Sequence, residues 1–288
     1  MHDHEVDIDV RLVQRLISTQ FPLWANLPLA PVESAGTVNT VYRLGTDMAV
    51  RLPRIEEALN DVEKEWRWLP RLARVLPVPI PVPLAKGEPA DGYPWPWSVT
   101  RWLRGDNPVV GRLTDPLRLA KDLGDFVRAL HRVEAKNGPP SYRGVPLAAR
   151  DTATRTAIAA LHGIIDTEAA TAAWKDALLV PAWTGPPVWI HADLSPGNVL
   201  VSNGRLAAVL DFGTLGVGDP AVDAIAAWNL LPPGARESFR AALAIDDATW
   251  ARGRGWALSI ALIQLPYYRT TNPVLADNAR HVIGTICG

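Results

Sequence analysis

A small set of polar residues has the types and the spacing needed for phosphate and metal chemistry. His191, Asp193 and Asn198 follow a short apolar run, and Asp211 follows another and begins an Asp-Phe-Gly sequence. Carboxylate and amide oxygens are hard ligands that suit Mg²⁺, which takes few protein ligands and completes its shell with water and substrate phosphate. The set therefore predicts a site in which Asp193 acts on a substrate while Asn198 and Asp211 hold the metal ion.

The elements that must position these residues form a predicted β-hairpin. Apolar runs lie on either side of Asn203-Gly204. Asn-Gly between apolar runs is a strong hairpin signal because both turn positions need positive φ. With these two residues as the turn, Asn198 and Asp211 fall at the same open end of the hairpin, and Asp193 enters that end from the preceding loop. Three oxygen-bearing side chains are therefore expected to converge.

The spacing His-x-Asp-x4-Asn, followed after a hairpin by Asp-Phe-Gly, repeats the arrangement found in kinases. There an Asp accepts the proton of the substrate hydroxyl, an Asn holds metal, and the Asp of Asp-Phe-Gly holds metal. The alternative is a plain hairpin with capping polar residues. Asp-Phe-Gly alone would not exclude that alternative, whereas the combination argues against it.

The sequences HADLSPGNVLV and VLDFGTLGVGDPAVD resemble the aminoglycoside phosphotransferase-like small-molecule kinases, which are similar in fold to eukaryotic protein kinases. The resemblance extends more weakly over most of the chain. It implies an α+β, bilobal protein-kinase-like fold with a small β-rich N-lobe and a larger, mainly helical C-lobe. The N-lobe, a nucleotide-binding sheet with one helix, would span 1–103. The C-lobe, with the catalytic loop, the metal site and a helical acceptor-binding region, would span 104–288. Mg²⁺ and ATP or GTP are the implied cofactor and co-substrate.

The resemblance also assigns N-lobe residues to the nucleotide. Arg51 stands where the family usually places a lysine that grips the α- and β-phosphates. Arginine is always charged and binds phosphate bidentately, whereas lysine acts as a compact point charge. Glu65 matches the helix glutamate that pairs with this residue, with Glu63 as the fallback. The other implied residues are Ser34, Gly36 and Thr37 of a loop over the phosphates, and Thr100, Arg101, Trp102 and Leu103 at the adenine pocket.

Two acids that follow Asp-Phe-Gly are predicted to be structural. Asp219 precedes a proline, the favoured combination at a helix start, and Asp223 lies one turn further on. In the family, this Gly-Asp-Pro-x-x-Asp segment braces the catalytic loop. Elsewhere, the alanine-rich segment 151–179 predicts a helical pair beside the substrate cleft, and a later helix over 248–265 is predicted to stop before Pro266.

Composition narrows the class of protein. The 288 residues are enough for two lobes, and 29 Lys plus Arg balance 30 Asp plus Glu, so no global charge favours nucleic acid or a membrane as a partner. The one cysteine, Cys287, excludes a disulfide framework and a zinc cluster. The N-terminal sequence carries acids where a signal peptide carries basic residues, and no stretch reaches the length of a membrane helix. A cytoplasmic protein is expected.

Two functions of different class follow. The first is a Mg²⁺-dependent kinase that transfers the γ-phosphoryl group of ATP or GTP to a hydroxyl of a small molecule, either an aminoglycoside- or macrolide-type antibiotic or a hydroxylated metabolite. The second is a nucleotide-binding regulatory pseudokinase, which Arg51 and the glycine-poor phosphate loop would suggest. The presence of all three metal-site and catalytic residues favours the enzyme.

The charges after Asp-Phe-Gly bear on the acceptor. A polycationic acceptor needs surplus carboxylates, because buried ammonium groups must be paired. From Phe212 onward the acids are Asp219, Asp223, Glu237, Asp246, Asp247 and Asp277, and the arginines are Arg236, Arg240, Arg252, Arg254, Arg269 and Arg280. With two of the acids structural, a neutral or weakly charged acceptor is favoured. Asp166, Glu168 and Asp176 of the helical pair are the residues most able to reverse this expectation.

Overall fold

The chain divides into two compact units. The computed structural model describes residues 6–32 and 38–288. The first unit runs to Gly105 and also includes Ala208–Gly213, and the second comprises Asp106–Ala207 and Thr214–Gly288. No helix of the described residues is both long and apolar enough to cross a membrane.

The first unit is built on a five-stranded antiparallel sheet in the order β1-β2-β3-β5-β4. Its strands are β1 (Leu29–Pro31), β2 (Asn39–Leu44), β3 (Met48–Pro53), β4 (Pro83–Gly87) and β5 (Trp97–Arg101). Its helices are α1 (Val10–Gln20) and α2 (Leu59–Leu72), with 3₁₀ turns at Pro22–Trp24 and Glu56–Ala58. The buried side of α1 packs on apolar residues of β2, β3 and β5 to form the core of this unit.

Strand β3 is central, and this placement puts a charge in an apolar setting. Arg51 pairs with Val41 of β2 on one side and with Ser98 of β5 on the other. Every other residue of β3 is buried. A buried guanidinium needs an anionic partner, because isolated charges are costly to remove from water.

The proline-rich segment 75–83 behaves as its composition predicts. Proline cannot donate to a sheet ladder, so such a segment suits an extended connection or an edge strand. The chain is irregular through Val82, and the strand that follows, β4, lies at the edge of the sheet with a register shift between Pro83 and Ala85.

The second unit is mainly helical. Its helices are α3 (Pro116–His131), α4 (Asp151–Ala160), α5 (Thr167–Leu179), α6 (Ala226–Asn229), α7 (Pro233–Leu243), α8 (Asp247–Tyr268) and α9 (Pro273–Cys287). It also has 3₁₀ turns at Leu147–Arg150, Pro196–Asn198 and Pro220–Ile225. Helix α8 is buried over most of its length. The predicted helical pair at 151–179 is present as α4 and α5.

The predicted stop before Pro266 is wrong, because α8 continues to Tyr268 with the proline inside it. A proline removes only its own amide hydrogen bond and crowds the carbonyl four residues earlier. Near the end of a long buried helix, packing of the preceding turns outweighs this local loss.

Short strands carry the loops that bear the polar residues. Strands β6 (Val188–Ile190) and β9 (Gly216–Gly218) pair with each other, and β7 (Val199–Ser202) pairs with β8 (Arg205–Val209). The predicted turn between the last two is confirmed, since Asn203 and Gly204 have φ values of 50° and 73°. This left-handed pair is the geometry for which the Asn-Gly sequence is selected.

Candidate active site

The loop that follows β6 presents Asp193. The backbone reverses at Ala192, whose φ is 64°, and the amide of Asp193 then donates to Nδ1 of His191 at 3.2 Å. A positive φ is unfavourable for alanine and persists only where the surroundings impose it. The loop is therefore held in a specific shape rather than left to local preference.

Both carboxylate oxygens of Asp193 are engaged. Oδ1 lies 2.5 Å from Nη1 of Arg143, and Oδ2 accepts from Nδ2 of Asn198 at 2.9 Å. The side chain of Asp193 remains 27% exposed. Each oxygen has a further lone pair, so the carboxylate is oriented and still able to accept a proton from a neighbouring hydroxyl.

A buried carboxylate supports this loop from inside the second unit. Asp223, with no exposed surface, accepts from the amides of His191 at 3.2 Å and Ala192 at 2.7 Å, and lies 2.9 Å from Nε2 of His131. Hydrogen bonds to an ionised carboxylate are stronger than neutral ones. These bonds fix the strained turn directly ahead of Asp193, and the predicted bracing role of Asp223 is confirmed.

Asp219 is structural in a different way. Its carboxylate pairs with the guanidinium of Arg252 through contacts of 2.8 and 3.1 Å, and it caps the following 3₁₀ turn through the amide of Ala221. Both charged side chains are only 4% exposed. Asp219 therefore anchors α8 to this turn, while the catalytic loop is contacted by Asp223.

The far end of the loop is also fixed. Nδ2 of Asn107 lies within 3.1 Å of the carbonyl oxygens of Pro196, Gly197 and Val199. The side-chain amide of Asn107 thereby fixes the 3₁₀ turn that contains Asn198. Asn107, Arg143 and His131 are absent from the sequence-based site. Nothing in their local sequence marks them, since Arg143 lies in a loop rich in turn-forming residues and 50 residues before its partner.

The first unit holds a second charged cluster, centred on Arg51. Nη1 of Arg51 lies 2.7 Å from Oε2 of Glu65, so the pairing expected between them is present. Nη2 lies 3.6 Å from Oδ1 of Asp211. Burial alone would lower the pKa of Arg51, but the nearby carboxylates of Glu65 and Asp211 raise it overall. Burial raises the pKa of Glu65, and the attraction of Arg51 offsets part of that increase.

Helix α2 contributes two further charged pairs. Nζ of Lys64 lies 2.9 Å from Oδ1 of Asp61 and also contacts the carbonyl oxygen of Gly213. Burial raises the pKa of Asp61, and Lys64 partly opposes this. Glu63, the fallback partner for Arg51, instead pairs with Lys86 at 2.5 Å on the exposed side of the helix. The position of Glu63 therefore does not support it as the alternative partner of Arg51.

The predicted adenine-binding residues lie at the end of β5. Thr100 is almost fully buried, in keeping with a position behind a pocket. The amide of Arg101 donates to Val82 at 3.4 Å, and the amide of Trp102 donates to Asp47 at 2.7 Å. Arg101, Trp102 and Leu103 were predicted to bind the base through their backbone amides. Among the described residues, the amide of Leu103 forms no backbone hydrogen bond. Ser34, Gly36 and Thr37 lie outside the described residues.

The chemistry of the predicted metal ligands suits Mg²⁺. The amide nitrogen of Asn198 donates to the backbone oxygen and to Oδ2 of Asp193, both at 2.9 Å, so these two bonds do not use the amide oxygen. The side chain of Asp211 is 40% exposed, and its Oδ1 accepts from the amide of Gly213 at 3.3 Å. No group of three or more His, Cys, Asp or Glu suited to a metal occurs among the described residues. A carboxylate oxygen and an amide oxygen are each of the hard type that Mg²⁺ prefers.

Comparison with known proteins identifies a protein family and solved structures of similar fold. A model of the phosphotransferase enzyme family matches residues 31–256. Comparison with curated proteins gives no significant match. Among solved structures, the GDP complex of wild-type aminoglycoside 2′-phosphotransferase IIIa has a TM-score of 0.76 at 20% identity, covering 96% of this chain and 98% of that one.

Two other solved structures show the range of similar proteins. A complex of an aminoglycoside phosphotransferase with GDP and kanamycin has a TM-score of 0.74 at 20% identity, covering 95% of this chain and 97% of that one. The apoenzyme of a macrolide 2′-phosphotransferase from Brachybacterium faecium has a TM-score of 0.66 at 24% identity, with coverage of 95% and 97%. The predicted kinase-like fold, a small antiparallel-sheet lobe and a helical lobe, is confirmed.

Proposed function

The chain belongs to the phosphotransferase enzyme family, and from this premise we propose that it transfers the γ-phosphoryl group of ATP or GTP to a hydroxyl group of a small molecule. The proposed acceptors are antibiotics of the aminoglycoside or macrolide type and hydroxylated metabolites. Structures of similar fold include complexes with GDP and with kanamycin, and an enzyme named for macrolides, which supports both co-substrate and acceptor class.

The observation that carries the proposal is the set of contacts around Asp193. A carboxylate held on one oxygen by Arg143 and on the other by Asn198 is a fixed proton acceptor. In the proposed step, the acceptor oxygen attacks the γ-phosphorus while its proton passes to Asp193, and the bond from the γ-phosphorus to the bridging oxygen breaks to release the nucleoside diphosphate. Most of the rate in such transfer comes from positioning and charge stabilisation.

The predicted N-lobe, 1–103, is proposed to bind the nucleotide, and the predicted C-lobe, 104–288, is proposed to bind the acceptor. The cation of Arg51 is held by Glu65 through Nη1 and lies near Asp211 through Nη2, and we propose that it also contacts the nucleotide phosphates. Ser34, Gly36 and Thr37 are proposed over the phosphates, and Thr100 to Leu103 beside the base. Asn198 and Asp211 are the proposed Mg²⁺ ligands, and the bound ion would neutralise charge on the phosphates.

Six of the nine acids that bear on a polycationic acceptor are occupied in the second unit, whereas the side chains of Glu168, Asp176 and Glu237 form no hydrogen bond or ion pair among the described residues. Asp166 and Asp246 cap helices, and Asp247 and Asp277 pair with neighbouring arginines. Asp219 and Asp223 are internal. These contacts support a neutral or weakly charged hydroxylated acceptor over a polyamine, since few carboxylates remain to pair with buried ammonium groups.

The direct test is a screen for Mg²⁺-dependent nucleotide consumption with hydroxylated antibiotics and metabolites as acceptors. A positive reaction must yield the phosphorylated acceptor by mass spectrometry and must disappear in Asp193→Ala. For the acceptor class, kcat/KM values are compared for kanamycin-like polyamines, macrolides and simple polyols. Absence of transfer to any acceptor, with either nucleotide, would contradict the proposal, and a clear preference for polyamines would contradict the acceptor class.

A further inference from the structure

Two adjacent residues of helix α2 are linked to Asp211 by different routes. Oε2 of Glu65 accepts from Nη1 of Arg51 at 2.7 Å, and Nη2 of the same arginine lies 3.6 Å from Oδ1 of Asp211. Nζ of Lys64 contacts the carbonyl oxygen of Gly213, and the amide of Gly213 donates to that same Oδ1 at 3.3 Å. All five residues belong to the first unit. Asp211 is therefore tied to one helix through its side-chain partner and through the backbone of its own turn.

Lys64 is itself held by an acid one turn earlier on α2. Its Nζ lies 2.9 Å from Oδ1 of Asp61, and the side chains of Lys64 and Asp61 are only 18% and 26% exposed. Solvent therefore screens this ion pair less than a pair at the surface. A lysine ammonium sits on a flexible four-carbon stem, so a fixed position requires such a partner. Asp61 thus keeps the ammonium group at the carbonyl oxygen of Gly213.

Gly213 lies where two carboxylates approach each other. A β-carbon on this glycine would lie 3.0 Å from Oδ2 of Asp61 and 3.3 Å from Oδ1 of Asp211. Two carboxylates that share a neighbour repel each other unless cations offset their charges. Lys64 pairs with Asp61, and Arg51 lies beside Asp211. Lys64 therefore affects Asp211 in two ways, because it holds the carbonyl of the turn and offsets the charge of the neighbouring acid.

We propose that Lys64, oriented by Asp61, is a positioning residue for Asp211 and so determines the affinity of the metal site. Lys64 acts through the turn at Gly213 and contacts neither the metal ion nor the nucleotide. This rests on the proposed function, in which Asp211 holds Mg²⁺. Replacement of a residue that orients a metal ligand changes metal affinity by about 10- to 100-fold. Because Lys64 and Glu65 are adjacent, one helix then sets the geometry of both the metal ligand and Arg51.

The role of Lys64 is tested by calorimetric titration of the whole chain with ADP and with GDP, without any transfer reaction. Each titration is performed with excess Mg²⁺ and again with EDTA in its place. The ratio of the two dissociation constants measures how much the metal ion contributes to nucleotide binding. In Lys64→Met, which keeps the length of the side chain and removes its charge, this ratio should fall about tenfold. The dissociation constant in EDTA should stay close to that of the unaltered protein.

Further variants separate positioning from a loss of stability or of charge. Lys64→Arg should recover part of the ratio, because a cation remains. Lys86→Met is the matched control, since it removes the ammonium that pairs with Glu63 on the exposed side of the same helix, and it should leave the ratio unchanged. Asp61→Asn, which releases the ammonium without removing it, should lower the ratio less than Lys64→Met does. It also tests the proposal if Lys64→Met fails to fold, which thermal unfolding without nucleotide detects.

A double variant tests whether Lys64 acts through Asp211. Residues that act through one carboxylate give non-additive effects when both are replaced. In an Asp211→Asn background, Lys64→Met should therefore lower the ratio little further. A contribution of Lys64 that is independent of Asp211 would instead give the same loss in both backgrounds.

Each outcome decides a different point. A ratio in Lys64→Met equal to that of the unaltered protein overturns the positioning role, and so does a loss that is undiminished in the Asp211→Asn background. A ratio near one in the unaltered protein, with both nucleotides, contradicts the Mg²⁺ site itself and overturns the role of Lys64 with it. A negative kinase screen leaves these titrations unaffected, so failure of the proposed function and failure of this inference are distinguishable.

Discussion

Nη1 of Arg143 lies 2.5 Å from Oδ1 of Asp193, and the same nitrogen donates to the carbonyl of Ala192 at 2.9 Å. One guanidinium therefore fixes the proposed proton acceptor relative to the backbone of its own loop. An arginine fork is rigid, so it restricts the orientation of a carboxylate more than a lysine ammonium does. We therefore propose that Arg143 is a positioning residue, which would act on the acceptor hydroxyl through Asp193.

Replacement of Arg143 should separate positioning from binding. We expect Arg143→Gln to lower kcat by up to about a hundredfold, because displacement of a reacting group by about an ångström has that effect. The KM for nucleotide should change little. Arg143→Lys should recover part of kcat. Steady-state kinetics with the cognate acceptor measures this, with Arg128→Gln, an exposed ion-pair variant, as the control. An unchanged kcat in Arg143→Gln would show that Arg143 does not position Asp193.

The variant Asp193→Ala should lose phosphoryl transfer and should still bind nucleotide. Removal of a general base lowers the rate by about 10²- to 10⁴-fold. Calorimetric titration with the Mg²⁺-nucleotide complex should give an affinity close to that of the unaltered protein, because Asp193 acts on the acceptor. Asp125→Ala, which breaks an exposed contact on α3, is a suitable control. Near-normal turnover in Asp193→Ala would remove this residue from the mechanism.

Arg51→Ala should raise the KM for nucleotide by about ten- to a hundredfold, the loss of one charge-assisted contact to phosphate. Arg51→Lys should recover part of it, since a point charge remains but the fork is lost. Kinetics at low nucleotide concentration measures the effect. An unchanged KM in the alanine variant would reduce Arg51 to a structural partner of Glu65.

The same substitution should make stability depend more steeply on pH. In the folded protein burial raises the pKa of Glu65, and Arg51 is the main group that opposes this. Without Arg51, the folded-state pKa rises further above the unfolded value. The stability of the Arg51→Ala variant is then retained below the pKa of Glu65 in the unfolded chain. It is lost as the pH rises through the pKa of Glu65 in the folded protein. Removal of one partner from a buried ion pair lowers the free energy of unfolding by about 3–5 kcal/mol.

Urea unfolding of Arg51→Ala and of the unaltered protein should therefore differ more at about pH 8 than at about pH 5. The double variant Arg51→Ala/Glu65→Gln is the control, because it carries no ionisable group at the glutamate position. Its difference from the unaltered protein should vary less with pH. A destabilisation of equal size at both pH values would show that Glu65 is not the group responsible.

Local patterns predicted part of this molecule well. The Asn203-Gly204 turn follows from the φ values that only a few residues tolerate. The Arg51–Glu65 pairing was implied by the family resemblance, and it is present. Asp223 was predicted to be structural, and its contacts to the catalytic loop are observed.

Contacts between distant loops could not be predicted in this way. Arg143 reaches Asp193 from an irregular segment, so no periodicity indicates the direction of its side chain. The continuation of α8 through Pro266 shows the same limit, since tertiary burial overrode a local helix-stop signal.

Asp211 offers the sharpest test of the metal site. Its φ is 54°, in the left-handed region, where Asp and Asn are favoured over other residues with a side chain. Asp211→Asn therefore keeps the backbone while removing the charge, whereas Asp211→Ala adds backbone strain of about 1–2 kcal/mol. We expect Asp211→Asn to raise the Mg²⁺ concentration needed for half-maximal activity and to weaken binding of the Mg²⁺-nucleotide complex.

Thermal unfolding separates the two effects. Asp211→Asn should unfold close to the temperature of the unaltered protein in the absence of Mg²⁺, because its carboxylate is partly exposed and its partner Arg51 keeps Glu65. Addition of Mg²⁺ and nucleotide should stabilise the unaltered protein more than the variant, since at a given concentration a ligand that binds the folded state more tightly stabilises it more. Equal stabilisation of both proteins would exclude Asp211 as a metal ligand, whatever the activity of the variant.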